Sequence, residues 1–251
     1  MEVLLKALVF GLAITVLANI ATTIYLHRSL SHRALSLRGP ARFAFRSILW
    51  VTTGIRPRQW VAVHRKHHAF TDVDGDPHSP VLLGWPAAQM RNVALYRASA
   101  QDPDTVARYA KDLPADKWDT RLFDRTILGL TLGITVSCVL FGPVVGLLTA
   151  FVHLNLYLAG SAAVNAIGHH FGRKPYDNGA GNLQWLAFLT AGEGLHNNHH
   201  AAPTSARLAH RWYELDYGWW VVCLLRSVGL AKVRLDGTKL INRALLTNKA
   251  K

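Results

Sequence analysis

His64-Arg65-Lys66-His67-His68 and His196-Asn197-Asn198-His199-His200 repeat one pattern, His-x-x-His-His, and the rest of the chain is read outward from them. On a helix, positions i, i+3 and i+4 share a face, so each stretch aims three imidazoles at one region. With 13 His in 251 residues, chance supplies on the order of 0.03 such matches per chain, so two of them are a signal. His27 and His32 make a third cluster where the first apolar segment ends. Five apart, they stand far around the cylinder of a continuous α-helix, which predicts that they flank a helix end and a chain turn. Asn165 and His169, four apart, share a face and add His169 as a candidate ligand. Imidazole suits zinc, iron, copper and nickel, and this many histidines exceed one tetrahedral ion, so two metals are implied.

The remaining histidines have plainer readings. His153 is expected to be a satisfied interior side chain, and His78, His170 and His210 to lie outside the ligand set. Asp72-x-Asp74-x-Asp76 lacks glycine at the sixth place of a calcium loop and has Leu83 where the twelfth-place Glu belongs, which excludes that site. These aspartates and Glu193 are candidates to accept the second ring N–H of a ligating histidine and fix its orientation.

Around the histidines the chain is apolar. Ala7 to Leu26 carries no charge and is long enough to cross about 30 Å of hydrocarbon at about 1.5 Å per residue. Glu2 beside Lys6 and the length of the run argue against a cleaved signal peptide. Thr126 to Asn165 has no ionised side chain and is broken at Gly142-Pro143, which predicts a helical hairpin. The expected spans are 5–26, 126–142 and 144–166. Gly129 and Gly133 have the spacing that lets helices approach closely. Residues 41–62 are interrupted by Arg42, Arg46, Arg56 and Arg58 and fit an interfacial or half-buried helix. The 85–125 stretch reads as an extramembrane loop with helical pieces, and the run from Trp219 to Leu230 is too short to span. The fold class is therefore an all-α integral membrane protein of about three transmembrane helices plus interfacial helices, a single domain over 1–251, with a cytosolic histidine-rich cap.

The net charge of +13, beside long uncharged apolar runs, points to a membrane surface and not to nucleic acid. Arg outnumbers Lys by 19 to 9, which suits phosphate or carboxylate partners such as anionic headgroups or an acidic protein. Counting spans puts every histidine cluster on one side, together with every Lys and Arg except Lys6; by the positive-inside tendency that side is cytoplasmic. Cys138 and Cys223 sit alone in apolar stretches and are expected to be buried small side chains, neither disulfide-bonded nor metal-binding. No nucleophile elbow, phosphate loop or dinucleotide fingerprint is present, so electrons must come from elsewhere.

These residues resemble the membrane fatty acyl desaturases of the stearoyl-CoA desaturase type, including bacterial and cyanobacterial acyl-lipid delta-9 members. The match runs through His27-Arg-Ser-Leu-Ser-His32-Arg33, His64 to His68, Asp76-Pro77-His78, Asn165-Ala-Ile-Gly-His169, Phe171-Gly172 to Pro175-Tyr176, Gly192-Glu-Gly-Leu-His196-Asn-Asn-His199-His200 and Gly218-Trp219-Trp220. The resemblance implies a di-iron centre, one iron on His27, His32, His64, His68 and His199, the other on His67, His169, His196 and His200 with Asn165 holding a water. It implies dioxygen as co-substrate and a cis double bond as product, made in a fatty acyl lipid or acyl thioester held in a kinked apolar tunnel, with membrane lipids around the chain. It also implies a separate electron donor, a ferredoxin or b-type cytochrome, to which a basic face is complementary.

Three departures from the family pattern bear on this. Many members have two spans before the first histidine box; one is expected here, which makes the bundle smaller and turns the amino terminus to the opposite side. Ala62-Val63 occupy the place of an Arg-Asp pair implicated in acyl-CoA recognition, which favours an acyl-lipid substrate. No fused donor domain is seen. A fatty acyl hydroxylase on the same di-iron scaffold is the alternative function, and a zinc-dependent membrane hydrolase a more distant one.

Overall fold

The computed structural model describes residues 1–237. Helix α1 (Glu2–Ala21) continues without a break into a π-helical segment, Thr22–Ser31, giving a rod of 30 residues. Strand β1 (Leu35–Leu37) then leads to α2 (Gly39–Thr52) and α3 (Pro57–Ala69). Short helices α4 (Pro80–Leu83), α5 (Trp85–Met90), α6 (Asn92–Gln101) and α7 (Pro103–Tyr109) follow, and a π turn at Asp119–Phe123. The apolar pair is α8 (Thr126–Phe141) and α9 (Pro143–Ala166). The chain closes with α10 (Gln184–Leu189), α11 (His196–Ala201), α12 (Tyr217–Ser227) and β2 (Ala231–Val233), which pairs antiparallel with β1. Proline opens α3, α4, α7 and α9 at the position where a missing N–H costs nothing.

Helices α1, α2, α8 and α9 pack together below a cap made by the shorter elements. The outer faces of this bundle are apolar: Leu5, Leu8, Leu12, Val139, Leu140, Leu147, Phe151 and Leu154 are all exposed. A contiguous apolar surface of this kind is unstable in water. The rod Glu2–Ser31 and α9, at 30 and 24 residues, are long and apolar enough to cross a membrane.

Three expectations need correction. The second expected span, 126–142, is not among them: it is a helix at Thr126–Phe141 of 16 residues, or about 24 Å at about 1.5 Å per residue, shorter than a bilayer core of about 30 Å. Its start is held by Trp50, whose Nε1 donates to the Arg125 carbonyl at 3.1 Å, and by Arg56, which donates to the Asp124 carbonyl. The structure is not purely helical, since β1 and β2 form a small ribbon. The 41–62 stretch is two helices, separated at residues 53–56, and Arg46 is buried against Asp116 at 2.8 Å and Asp119. Both cysteines are free, as expected, but half-buried.

The hairpin break falls at Gly142-Pro143 as the sequence indicates, with Gly142 in left-handed backbone. The Gly129/Gly133 spacing has a use: a Cβ on Gly133 would lie 2.1 Å from the Val51 carbonyl, so α8 meets α2 backbone to backbone. His153 is the satisfied interior side chain expected, bonded to Thr15 Oγ1 at 3.0 Å and the Thr52 carbonyl at 2.9 Å.

The cap is tied to the histidine rod by Asp112, which pairs with Arg65 at 2.5 Å and with Arg33. Hydrogen bonds from Arg65 hold the Asp112 carboxyl well below its usual range, against a smaller opposing effect of burial, with further help from Arg33. A depressed carboxylate contributes stability above its unfolded pKa of about 4 and loses it as pH falls through the lower folded value. Asp112→Asn should therefore melt below the wild type by a constant margin from pH 8 to pH 5, and the two melting curves should converge in acid below about pH 4.

Candidate metal centre

Four separate segments bring nine histidines to one buried region. The first two come from the π-helical end of the rod. Here the His32 N–H bonds the His27 carbonyl at 3.1 Å, five residues back. Wider π winding stacks residues five apart, and the two rings sit edge to face at 4.8 Å. His27 lies inside the π segment and His32 caps it, so the two flank a helix end as expected, and the π winding brings their rings together.

Helix α3 carries His64, His67 and His68 on its last turns, and α11 begins on His196 and carries His199 and His200. His169 follows α9 by one turn, its N–H bonded to the Asn165 carbonyl at 3.1 Å. The imidazoles fall into two groups whose donor atoms lie within 4.8 Å of one another: His27, His32, His64, His68 and His199, and His67, His169, His196 and His200. This is the partition the resemblance implied. The stacked rings of His68 and His200, 4.5 Å apart, join the groups. Asn165 lines the adjoining cavity together with His196.

The nitrogen geometry fits a metal. His27 Nε2 is 3.1 Å from His199 Nε2, His32 Nε2 is 2.8 Å from His64 Nε2, and His199 Nε2 is 2.9 Å from His68 Nε2. Metal–imidazole bonds of about 2.1 Å place neighbouring donors about 3 Å apart. The outer nitrogens are held by carboxylates: His27 Nδ1 by Glu193 at 2.7 Å, His67 Nδ1 by Asp76 at 3.0 Å and His169 Nδ1 by Asp72 at 2.8 Å. A ring whose Nδ1–H is donated outward presents a bare Nε2 lone pair inward, and the buried Nε2 atoms of His67 and His169 have no protein partner. Burial, reinforced by neighbouring imidazoles, pushes His32, His64, His68, His196, His199 and His200 well below the usual imidazole range, the neutral state that ligation requires. Burial works to raise the Glu193 carboxyl, but His27, Arg28 and Thr23 together hold it below its ordinary value. Of the sequence candidates for this outer ring, Asp74 alone makes no such contact and is exposed.

Several residues of the site carried no functional expectation. His78 was set outside the ligand set, yet it is buried, stacks on His67 at 4.9 Å, and forms a third possible donor group with His67 and Asp76. Its place in Asp76-Pro77-His78, two residues after a carboxylate that holds a ligand, was the available signal. His170 is exposed, and His210 bonds the Tyr176 hydroxyl at 3.0 Å away from both groups. Asn197 and Asn198 turn away from the imidazoles. Asn197 bonds the Tyr176 and Ala180 carbonyls at 3.0 and 2.8 Å, and Asn198 bonds the Leu208 carbonyl and Glu214.

Behind His27 lies an ion pair with no sequence signature. Arg28 and Asp216 are each 1% exposed at the side chain and bonded at 2.7 and 3.3 Å. The other Arg28 donations go to Thr23 Oγ1 and the carbonyls of Ala191 and Ala206, so every guanidinium N–H has an acceptor. Asp216 in turn accepts the N–H groups of Leu208 and Trp219. Gly192, at φ +102°, leaves room for this pair: a Cβ there would stand 2.5 Å from Asp216 Oδ1.

A helical bundle with an apolar exterior and a buried polyhistidine centre able to hold metal is the class that the fold and the site define. Comparison with known proteins gives it a family. Residues 5–223 match the family described as Fatty acid desaturase. The chain is 32% identical over 232 residues to a Delta-9 desaturase-like 2 protein of Arabidopsis thaliana, covering 90% of this chain and 76% of that one. It is 34% identical over 211 residues to an sn-2 palmitoyl-lipid 9-desaturase of Nostoc sp. (strain 36), covering 82% and 73%. It is 30% identical over 254 residues to a Hex-5-enoyl-[acyl-carrier protein] acetylenase of Moorena producens (strain JHB), covering 90% and 76%. The chain belongs to the fatty acid desaturase family and is an oxidoreductase.

Two outcomes follow. Arg28→Met leaves Asp216 buried and unpaired and should destabilise the protein by about 3–5 kcal/mol, whereas Arg28→Met with Asp216→Leu should recover most of that loss in thermal melts. Asp76→Asn should leave the fold intact but weaken metal retention by about 10–100-fold, read by elemental analysis after graded chelation.

Proposed function

We propose that this chain is a membrane-bound di-iron fatty acyl desaturase that introduces a cis double bond into a saturated acyl chain. The observation that carries the proposal is the pair of imidazole groups, five and four strong, set beside a cavity of about 110 Å³ lined by His27, His64, His196, Asn165, Trp60 and Val63. His27, His32, His64, His68 and His199 would hold one iron, and His67, His169, His196 and His200 the other. Asn165 stands where a water beside the second would be kept. Two irons in this setting supply activation of dioxygen, chemistry for which the protein's own side chains have no group.

The balance of the reaction assigns the remaining tasks. Two hydrogens leave adjacent methylenes, dioxygen becomes two waters, and two electrons and two protons complete the sum. The chain must therefore position one methylene pair, exclude others, and admit electrons from an external donor. Trp60, stacked on His64 at 4.9 Å with an interplanar angle of 13°, fixes one wall of the cavity against the imidazoles. Positioning of this kind converts an unselective oxidant into a regioselective one. Ala62 and Val63 are buried on α3 and offer no charge to a thioester headgroup. With the sn-2 palmitoyl-lipid relative, this supports a lipid-borne acyl chain as substrate.

The exposed apolar bundle supports a multi-pass membrane protein, with the short α8 reaching across by local thinning of the bilayer. The concentration of Arg and Lys on the histidine side supports a cytoplasmic active site. The family match over most of the chain supports one domain.

The test is a fatty acyl profile, by mass spectrometry, of a desaturase-deficient host expressing this chain with a ferredoxin system, beside the same host expressing His199→Ala. A new monounsaturated species absent from the variant is the expected result. A hydroxy-acyl product would select hydroxylation on the same scaffold, and good expression with no product from any supplied donor would overturn the desaturase reading.

A further inference from the structure

The cavity beside His27, His64 and His196 holds about 110 Å³, and Asn19, Thr22, Ser161 and Thr190 bring polar groups to its walls. Pockets for ligands of drug size measure about 300–1,000 Å³, and a long acyl chain is no smaller, so this cavity has room for the reacting stretch of a chain and not for the remainder. A second space lies where the bundle meets the cap. It is an apolar groove of about 720 Å³ lined by Leu12 and Val16 of α1, Leu156 and Ala159 of α9, and Leu186 and Phe188 of α10. Leu12, Leu156, Ala159 and Phe188 are exposed there, with Trp185 and Trp220 exposed along its edges. The groove therefore opens on the apolar exterior of the bundle, the side that faces lipid.

Cavity and groove stand back to back. In α9, Gly160 and Ala163 line the groove, while Ser161 and Val164, one residue further on, line the cavity. At the end of α10, Leu189 lines the groove and Thr190 the cavity. Two contacts cross the wall between them. Asn19 Nδ2, on the cavity side, donates to the Leu189 carbonyl at 2.8 Å, and Thr190 Cγ2 lies 3.6 Å from where a Cβ on Gly160 would stand. The wall is thus a single layer of side chains, closed by one hydrogen bond and by a glycine that adds no bulk. Helix α10 is six residues long, buries Leu186 and Ala187 and leaves Trp185, Phe188 and Leu189 exposed. Its outward displacement breaks few buried contacts and joins the two spaces.

We propose that this groove binds the acyl chain of a membrane glycerolipid and passes it into the cavity sideways from the bilayer, through a gate formed by Asn19, Gly160, Leu189 and Thr190. The inference rests on the desaturase reading above and adds the place where the lipid binds and the side from which it enters. A saturated chain is held by apolar contact alone, and the groove supplies that contact over the length that the cavity cannot take. With the gate open, the reacting methylenes reach the space beside His27, His64 and His196 while the remainder of the chain stays in the groove. The headgroup does not have to leave the membrane surface. With no chain in place, the bond from Asn19 to the Leu189 carbonyl keeps the cavity shut.

The experiment reads binding separately from turnover. The purified protein is placed in phosphatidylglycerol nanodiscs that include a trace of phosphatidylglycerol bearing a diazirine on a saturated sn-2 acyl chain, and after photolysis the adducts are mapped by peptide mass spectrometry. The expected result is adducts on residues 156–163 and 184–189 about tenfold more frequent than on residues 144–154 of the same helix. Ala159→Trp fills the groove from an exposed position, Leu156→Trp blocks the same wall, and Leu147→Trp, exposed on α9 outside the groove, is the control. Metal content and melting temperature confirm that each is folded. Groove adducts and acyl product should both fall about tenfold in the two blocking variants and stay unchanged in Leu147→Trp. Asn19→Leu, which keeps volume and removes the bond to Leu189, should extend the adducts to Ser161 and Val164. Adducts spread evenly over the apolar exterior would overturn the proposal, since the groove would then hold only annular lipid. So would blocking variants that label as the wild type does, or that lose the groove adducts and keep full turnover. Groove adducts that respond to the variants, with no acyl product from the wild type, would leave the lipid site standing and remove the desaturase reading.

Discussion

Nine imidazoles converge on one buried volume, and facing bare lone pairs there are costly to hold away from solvent unless they share a cation. Everything around the centre serves that requirement. Glu193, Asp76 and Asp72 take the outer N–H of His27, His67 and His169 and so fix which nitrogen faces inward. Each carboxylate is itself anchored, Asp76 by the N–H groups of Asp72 and His78, Asp72 by Ser79 and Glu193 by Thr23. The imidazole directions are thus set by the protein before any metal binds.

Convergence of four segments also has to be stabilised outside the centre. The rod that brings His27 is held to the loop before α11 by Arg28, whose five N–H groups reach Thr23, Ala191, Ala206 and Asp216. Helix α11 itself is held by Asn197, which accepts from the Tyr176 N–H and donates to the Ala180 carbonyl, and by Asn198, which accepts from Asn182. Removing water from a paired arginine and aspartate costs free energy that their attraction alone recovers poorly. Full use of every donor offsets that cost, and the return is positional: His27 and His199 are brought to 3.1 Å although 172 residues separate them.

The histidine boxes were legible because helical spacing is a local property: His64, His67 and His68, or His196, His199 and His200, converge on any helix. Glu193 and the aspartates were legible for a related reason, since ligating imidazoles need acceptors and few acids lie near the boxes. His27 and His32 do flank a helix end, but how their rings meet was not legible, because a five-residue spacing is out of phase on an α-helix and comes into phase only on the π winding at Thr22–Ser31. Nothing in the composition of that segment announces such winding. Arg28 and Asp216 stand 188 residues apart and are joined only by the tertiary fold. The helix at Thr126–Phe141 was legible at both ends, because the ionised side chains stop at Arg125 and Gly142-Pro143 breaks the run, whereas its anchoring by Trp50 and Arg56 at the carbonyls of Arg125 and Asp124 is a tertiary contact.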